Sequence, residues 1–85
     1  MTRDIDIRLF GSLRQFSDQP TITLNLGADA TVAALRTELG ARLSSDNGRS
    51  LLGASAFATD ERVLEDGEPL PDVRELAVLP PVCGG

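Results

Sequence analysis

The chain ends in Pro80-Pro81-Val82-Cys83-Gly84-Gly85, and these six of its 85 residues concentrate the chemistry it offers. The Gly85 carboxylate has no side chain beside it, and Gly84 adds none, so this backbone can pass a constriction that any Cβ would block. Pro80 and Pro81 fix φ at about −65° and remove two backbone donors, so neither a helix nor a central strand continues through them. The pattern predicts a stiff neck with a slim, flexible tip that reaches roughly 20 Å when extended. A carboxylate presented this way suits insertion into a narrow channel of another protein, where acyl chemistry is done upon it. Cys83 sets a thiol two residues from the end. It reads either as a small residue at a tolerant position or as a reactive thiol exposed at the tip.

Other reactive side chains are scarce. With one Cys and no His, an internal disulfide is impossible, and no dedicated zinc, copper or haem site is expected. All eight basic residues are Arg. Arginine stays protonated and is not a nucleophile, so an activated Gly85 meets no lysine amine on its own chain; arginine-biased codon usage explains the same composition. A net charge of −5 argues against a nucleic-acid backbone or an anionic membrane as partner, since both need a positive patch. Asp60, Glu61, Glu65, Asp66, Glu68, Asp72 and Glu75 gather before the tail, against Arg62 and Arg74. They form an ordinary solvated face or a field that steers a basic protein. The N-terminal Met1-Thr2-Arg3-Asp4 opens no signal-type apolar run, and Leu76 to Val82 is far short of a membrane span. A soluble, cytoplasmic domain is expected.

The elements that must hold this tail follow from periodicity. Asp4 to Phe10 alternates with Ile5, Ile7 and Leu9 on one face, and Thr21 to Leu26 does so with Ile22, Leu24 and Leu26. These predict a hairpin whose connection includes a short helical turn capped by Ser12, running through Leu13 and Phe16, and a turn at Asp18-Gln19-Pro20. Thr31 is a good N-cap for a helix whose Val32, Leu35, Leu39 and Leu43 form one apolar stripe. Glu38 and Arg42 lie one turn apart, a pair worth ~0.3 kcal/mol. Gly40, costing roughly 1 kcal/mol in a helix interior, blurs the far boundary. Ser44 to Ser50 reads as a loop around Asn47-Gly48, and Leu51 to Ala58 as a central strand. Arg62 to Leu64 reads as a brief strand, and Glu75 to Leu79 as the last one, with Leu76, Val78 and Leu79 as burial candidates. For Phe10 and Phe57 core packing is the first reading, an aromatic anchor on the outer face the second. One amphipathic helix after a hairpin predicts an α+β roll: a mixed sheet of four to five strands packed on one main helix. Residues 1–79 form the domain and 80–85 the tail.

Four stretches carry a family resemblance: Leu9-Phe10-Gly11-Ser12-Leu13-Arg14, Thr31-Val32-Ala33-Ala34-Leu35, Asp66-Gly67-Glu68-Pro69-Leu70, and Glu75-Leu76-Ala77-Val78-Leu79 running into Pro80-Pro81-Val82-Cys83-Gly84-Gly85. Over essentially its whole length the chain resembles the MoaD/ThiS ubiquitin-like sulfur carriers, most closely those of the molybdopterin synthase small-subunit (MoaD) type. The resemblance implies a β-grasp fold and a Gly85 carboxylate adenylated with ATP by a ubiquitin-activating-type adenylyltransferase. A sulfur donor protein then converts the adenylate to a thiocarboxylate. That tail would enter the molybdopterin synthase large subunit and give up its sulfur in molybdenum cofactor biosynthesis. Gly85 is then the reacting residue, Gly84 the clearance residue, and Pro80, Pro81, Val82 and Cys83 the docking neck. The chain would be a carrier with no catalysis of its own, a subunit of an enzyme in complex, and would hold no permanent cofactor. Three positions depart from the family pattern: Thr59 where Asn is frequent, Val73 where Gly or Asp is, and Cys83 in place of an unreactive residue. Carriers for thiamine, cysteine or a specialised metabolite share the Gly-Gly end. So does a ubiquitin-like protein modifier; an inert interaction module whose tail is incidental is a third class.

Overall fold

The computed structural model describes residues 2–17, 19–43 and 45–81. Its sheet is built from β1 (Thr2–Leu9), β2 (Thr21–Gly27), β3 (Ala56–Ala58), β4 (Val63–Leu64) and β5 (Glu75–Leu79), with α1 (Val32–Arg42) and α2 (Asp46–Gly53) between β2 and β3. The strand order is β2-β1-β5-β3-β4. β1 pairs antiparallel with β2, Ile5 facing Leu24, and parallel with β5, Leu9 facing Val78. β3 lies antiparallel between β5 and β4. This is the expected five-strand β-grasp roll, and β5, the strand that ends in the tail, is its central strand.

The alternation read from sequence decides what is buried. Ile5, Ile7, Leu24, Leu76 and Val78 point from the sheet onto Val32, Leu35, Leu39 and Leu43 of the α1 stripe, all in one core with Phe57. Each such side chain taken fully out of water contributes about 1.5–3 kcal/mol. Phe57 is the aromatic centre of that core. The Arg36 guanidinium sits 5.0 Å above its ring. Arg36 Nη1 also donates to the carbonyls of Leu52 and Ser55 at 2.6 and 2.7 Å, and Nη2 to Asp66 Oδ1 at 2.6 Å. One side chain thus ties α1 to the end of α2, where a cation suits the exposed carbonyls.

The α1 N-terminus is finished by a distant loop. Thr31 Oγ1 accepts from the Ala34 N–H, while the Val32 and Ala33 N–H groups donate to the carbonyls of Glu68 and Asp66 at 3.0 and 2.9 Å. The Asp66-Gly67-Glu68-Pro69-Leu70 motif is therefore a cap for donors that a helix cannot satisfy itself. It is held by a Thr31–Pro69 bridge and by Leu70 buried beneath it.

Several expectations need correction. β1 begins at Thr2, because β2 runs on to Gly27 and pairs with it, and it ends before Phe10. The 3-10 turn between β1 and β2 spans Gly11–Phe16, begins one residue before Ser12 and has no side-chain cap. Glu38 and Arg42 make no ion pair among the described residues. The expected loop and long strand across residues 44–58 are instead α2 followed by the three-residue β3. Ser45 caps α2 by accepting from the Gly48 N–H at 3.0 Å, and Leu52 is buried against α1. Gly40 is buried and helical inside α1, and a Cβ there would meet Leu52 at 3.6 Å, an ordinary contact. Leu79 is exposed, not buried: Leu76 and Val78 take the inward positions, and period two sends Leu79 outward. Asp18 and Ser44 lie outside the described residues.

Candidate functional site

Both helices lie on one face of the sheet. The other face, at the end where β5 gives way to the tail, carries an apolar patch. Ala58 faces Val63 and Ala77, Ala56 faces Leu79, and Arg8 faces Ala77 across adjacent ladders. Among the described residues, Phe10, Leu79 and Val63 are the large hydrophobics left exposed, at 38%, 38% and 59%. Isolated exposed apolar residues need no explanation, but a group of them on one sheet face marks a candidate contact surface. A shallow depression of about 420 Å³ lies among Arg8, Phe10, Ala58, Thr59, Val73 and Ala77.

Charge frames this patch. Arg8 approaches Glu75 at 3.7 Å and holds its guanidinium 5.5 Å from the Phe10 ring. Three of the seven acids expected to cluster before the tail have ion-pair partners: Glu75 with Arg8, Asp66 with Arg36 and Glu68 with Arg62. Asp60, Glu61, Glu65 and Asp72 have none among the described residues, so negative charge remains to attract a basic partner. The hydrogen-bonded Arg62 guanidinium holds the Glu68 carboxyl below the ordinary glutamate range, helped by the Glu65 backbone N–H, which donates to Glu68 Oε2 at 2.8 Å. The same contact pushes Arg62 upward.

The departures at Thr59 and Val73 find structural uses. Thr59 Oγ1 accepts from the N–H groups of Glu61 and Arg62 at 3.1 and 3.2 Å, so a hydroxyl closes the β3–β4 turn as an Asn side chain would. Val73 is half-buried and packs on the core, while its N–H donates to the Pro71 carbonyl at 2.9 Å. Arg3 donates to that same Pro71 carbonyl, which fastens the approach to β5.

Of the residues assigned to the site from sequence, Pro80 is half-buried and Pro81 exposed. Val82, Cys83, Gly84 and Gly85 lie outside the described residues. Sequence reading missed Leu79 and Val63 as surface residues, although strand alternation carried the signal for Leu79. It gave Gly11 no role beyond its place in the Leu9-Phe10-Gly11-Ser12-Leu13-Arg14 motif. Gly11 has φ +58°, and a Cβ there would stand 2.9 Å from Pro80 Cγ. Among the described residues no group of three or more His, Cys, Asp or Glu is placed to hold a metal ion, and no helix is long and apolar enough to cross a membrane.

A mixed five-strand sheet on a main helix, with its central strand delivering the C-terminal neck, defines a ubiquitin-like β-grasp protein. Its sequence matches the family model described as "ThiS family" over residues 7–85, and the chain belongs to that family. A comparison with curated proteins finds no match. Among solved structures it is similar to SAMP1 from Haloferax volcanii, with 24% identity and a TM-score of 0.73, over 98% of this chain and 100% of that one. It is also similar to a chain in the complex of subunits 1 and 2 of the molybdopterin-converting factor from Helicobacter pylori 26695, with 25% identity and a TM-score of 0.62, over 98% and 100% of the two chains. A ubiquitin from Caldiarchaeum subterraneum matches at 20% identity and a TM-score of 0.66 over the whole of both chains.

Proposed function

We propose that this protein is a sulfur carrier whose reacting group is the Gly85 carboxylate, and that it serves molybdopterin synthesis. The observation that carries the proposal is the coincidence of a ThiS-family chain, matched through its last glycine, with a Pro80-Pro81 neck leaving the central strand beside an exposed apolar patch. A carboxylate is a poor electrophile until one oxygen becomes a good leaving group. In the proposed sequence a Gly85 oxygen attacks the α-phosphate of ATP, pyrophosphate leaves, and hydrosulfide supplied by the sulfur donor then displaces AMP from the acyl carbon. The resulting thiocarboxylate is the better nucleophile toward the acceptor. None of these steps requires an acid or base from this chain; adenylyltransferase and synthase would supply them.

The pairing with a large subunit draws on the Helicobacter pylori similarity, since that chain was solved with the second subunit of its factor. Phe10, Leu79 and Val63 supply the apolar contact, and the acids around β4 the long-range attraction. Pro80, Pro81, Val82 and Cys83 line the path into the partner, with Gly84 giving clearance at its narrowest point.

The test is incubation with ATP and a ubiquitin-activating-type adenylyltransferase from the same cells. Pyrophosphate release should require Gly85, and intact mass spectrometry of the native protein should find an oxygen-to-sulfur gain at that residue. Release that persists after Gly85 is deleted removes the reading. Isopeptide adducts to lysines of other proteins would replace it with protein modification.

A further inference from the structure

Two independent constraints meet at Gly11. Its φ of +58° is left-handed, which glycine adopts freely and asparagine tolerates. Its second constraint is space. A Cβ built on Gly11 would stand 2.9 Å from Cγ and 3.6 Å from Cδ of Pro80. The first distance is too short for any real contact, and the pyrrolidine ring, closed on its own backbone nitrogen, can yield only by changing pucker or shifting its backbone.

The register explains the meeting. β1 and β5 run parallel with Asp6 opposite Glu75 and Leu9 opposite Val78, and the same offset carried two residues further sets Gly11 opposite Pro80. There β1 turns off into its 3-10 turn while β5 ends and the backbone runs on through Pro80. The left-handed turn at Gly11 vacates the place that the Pro80 ring occupies, leaving Pro80 half-buried. A proline at this point cannot donate a further ladder bond, so contact with Gly11 replaces a hydrogen bond in fixing where the chain leaves.

We propose that Gly11 is a positioning residue: it seats the Pro80 ring at the end of β1 and so sets the direction in which Gly85 is presented. As a statement about activation this rests on the sulfur-carrier reading; as a statement about geometry it does not. Gly11 has no side chain of its own for a partner to grip. Its effect should therefore appear in turnover and not in docking.

Cys83 is the chain's one thiol, so a nitroxide label attached there reports tail direction with no further substitution. Paramagnetic broadening of amides is compared between the outer sheet face, at Arg8 and Ala77, and the helix face, at Thr37 and Ala41. Gly11→Asn keeps a residue that accepts left-handed φ but adds the Cβ. It should change the ratio of broadening between the two faces, and in a Pro80→Ala background it should change nothing further. A Gly11→Asn profile superimposable on the parent's, or a change of equal size in both backgrounds, would overturn the proposal. Should Gly11→Asn fail to fold, Pro80→Ala alone decides: it should alter the ratio by emptying the seat, and an unaltered ratio refutes the seat. In Gly85-dependent pyrophosphate release, the unlabelled Gly11→Asn protein should lose about tenfold or more in kcat with KM nearly unchanged, the scale on which misplaced reacting atoms slow a reaction. An unchanged kcat speaks against it. Absence of Gly85-dependent release by the parent itself would instead remove the carrier reading, leaving the label experiment to judge the geometry.

Discussion

Phe10 leaves β1 one residue beyond the last ladder partner and keeps its ring in solvent beneath the Arg8 guanidinium. It lies beside Gly11, and through Gly11 near the root of the tail, so a partner that swallows the tail passes over this ring. Aromatic anchors near the centre of an interface commonly carry about 2 kcal/mol or more of binding, whereas exposed side chains away from special features shift folding stability by about 0.5 kcal/mol or less. Phe10→Ala should therefore raise KM for the adenylyltransferase by about thirtyfold, while melting temperature and kcat hardly move. Steady-state kinetics beside a thermal melt checks this; an unchanged KM would show that the partner does not use the ring.

At the scale of elements, α2 shows how one glycine joins two segments. Gly48 lies in that helix, and a Cβ there would stand 2.8 Å from Phe16 Cγ and 3.0 Å from Phe16 Cβ. These atoms sit at the root of the side chain and cannot move without the 3-10 turn. Alanine normally gains about 1 kcal/mol over glycine inside a helix, but overpacking of this kind costs about 1–3 kcal/mol. Gly48→Ala should lower stability in urea unfolding, and the same change in a Phe16→Ala background should raise it. A reversal of sign is the signature of coupling between the two sites. The same contact explains why α2 was hidden in the sequence. Asn47-Gly48 is turn chemistry by local rules, and the tertiary partner that selects helix, Phe16, lies over thirty residues away. The α1 stripe and the alternation of β1, β2 and β5 were legible because one periodicity decides each of them. The end of β5 ahead of Pro80 was legible as well, since proline acts on backbone regardless of surroundings. The seat for Pro80 was not, because it depends on a strand register that no single segment encodes.

For the molecule as a whole, acid should loosen the fold partly through the loop that caps α1. Glu68 is held by Arg62 and by the Glu65 N–H, and both favour its charged form, so its carboxyl titrates lower in the folded chain than in the unfolded one. A depressed folded value means the stabilisation is complete above the ordinary glutamate value of 4.5. It is lost as pH falls from there through the lower folded value. Glu68→Gln should thus flatten the acid limb of stability measured by urea midpoints across a pH series, leaving the slope above neutrality alone. An acid limb as steep as the parent's would locate that sensitivity elsewhere. The parallel pairing of β1 with β5 has a consequence of another kind. Thr2 and Pro80 stand at opposite ends of the sheet, about nine strand residues or roughly 30 Å apart, farther than six tail residues can stretch back. With no lysine anywhere in the sequence, no side-chain amine of this chain can meet a Gly85 carboxylate once it is activated. A bead, dye or purification handle placed ahead of Thr2 would likewise ride at the far pole, clear of whatever enzyme grips the other.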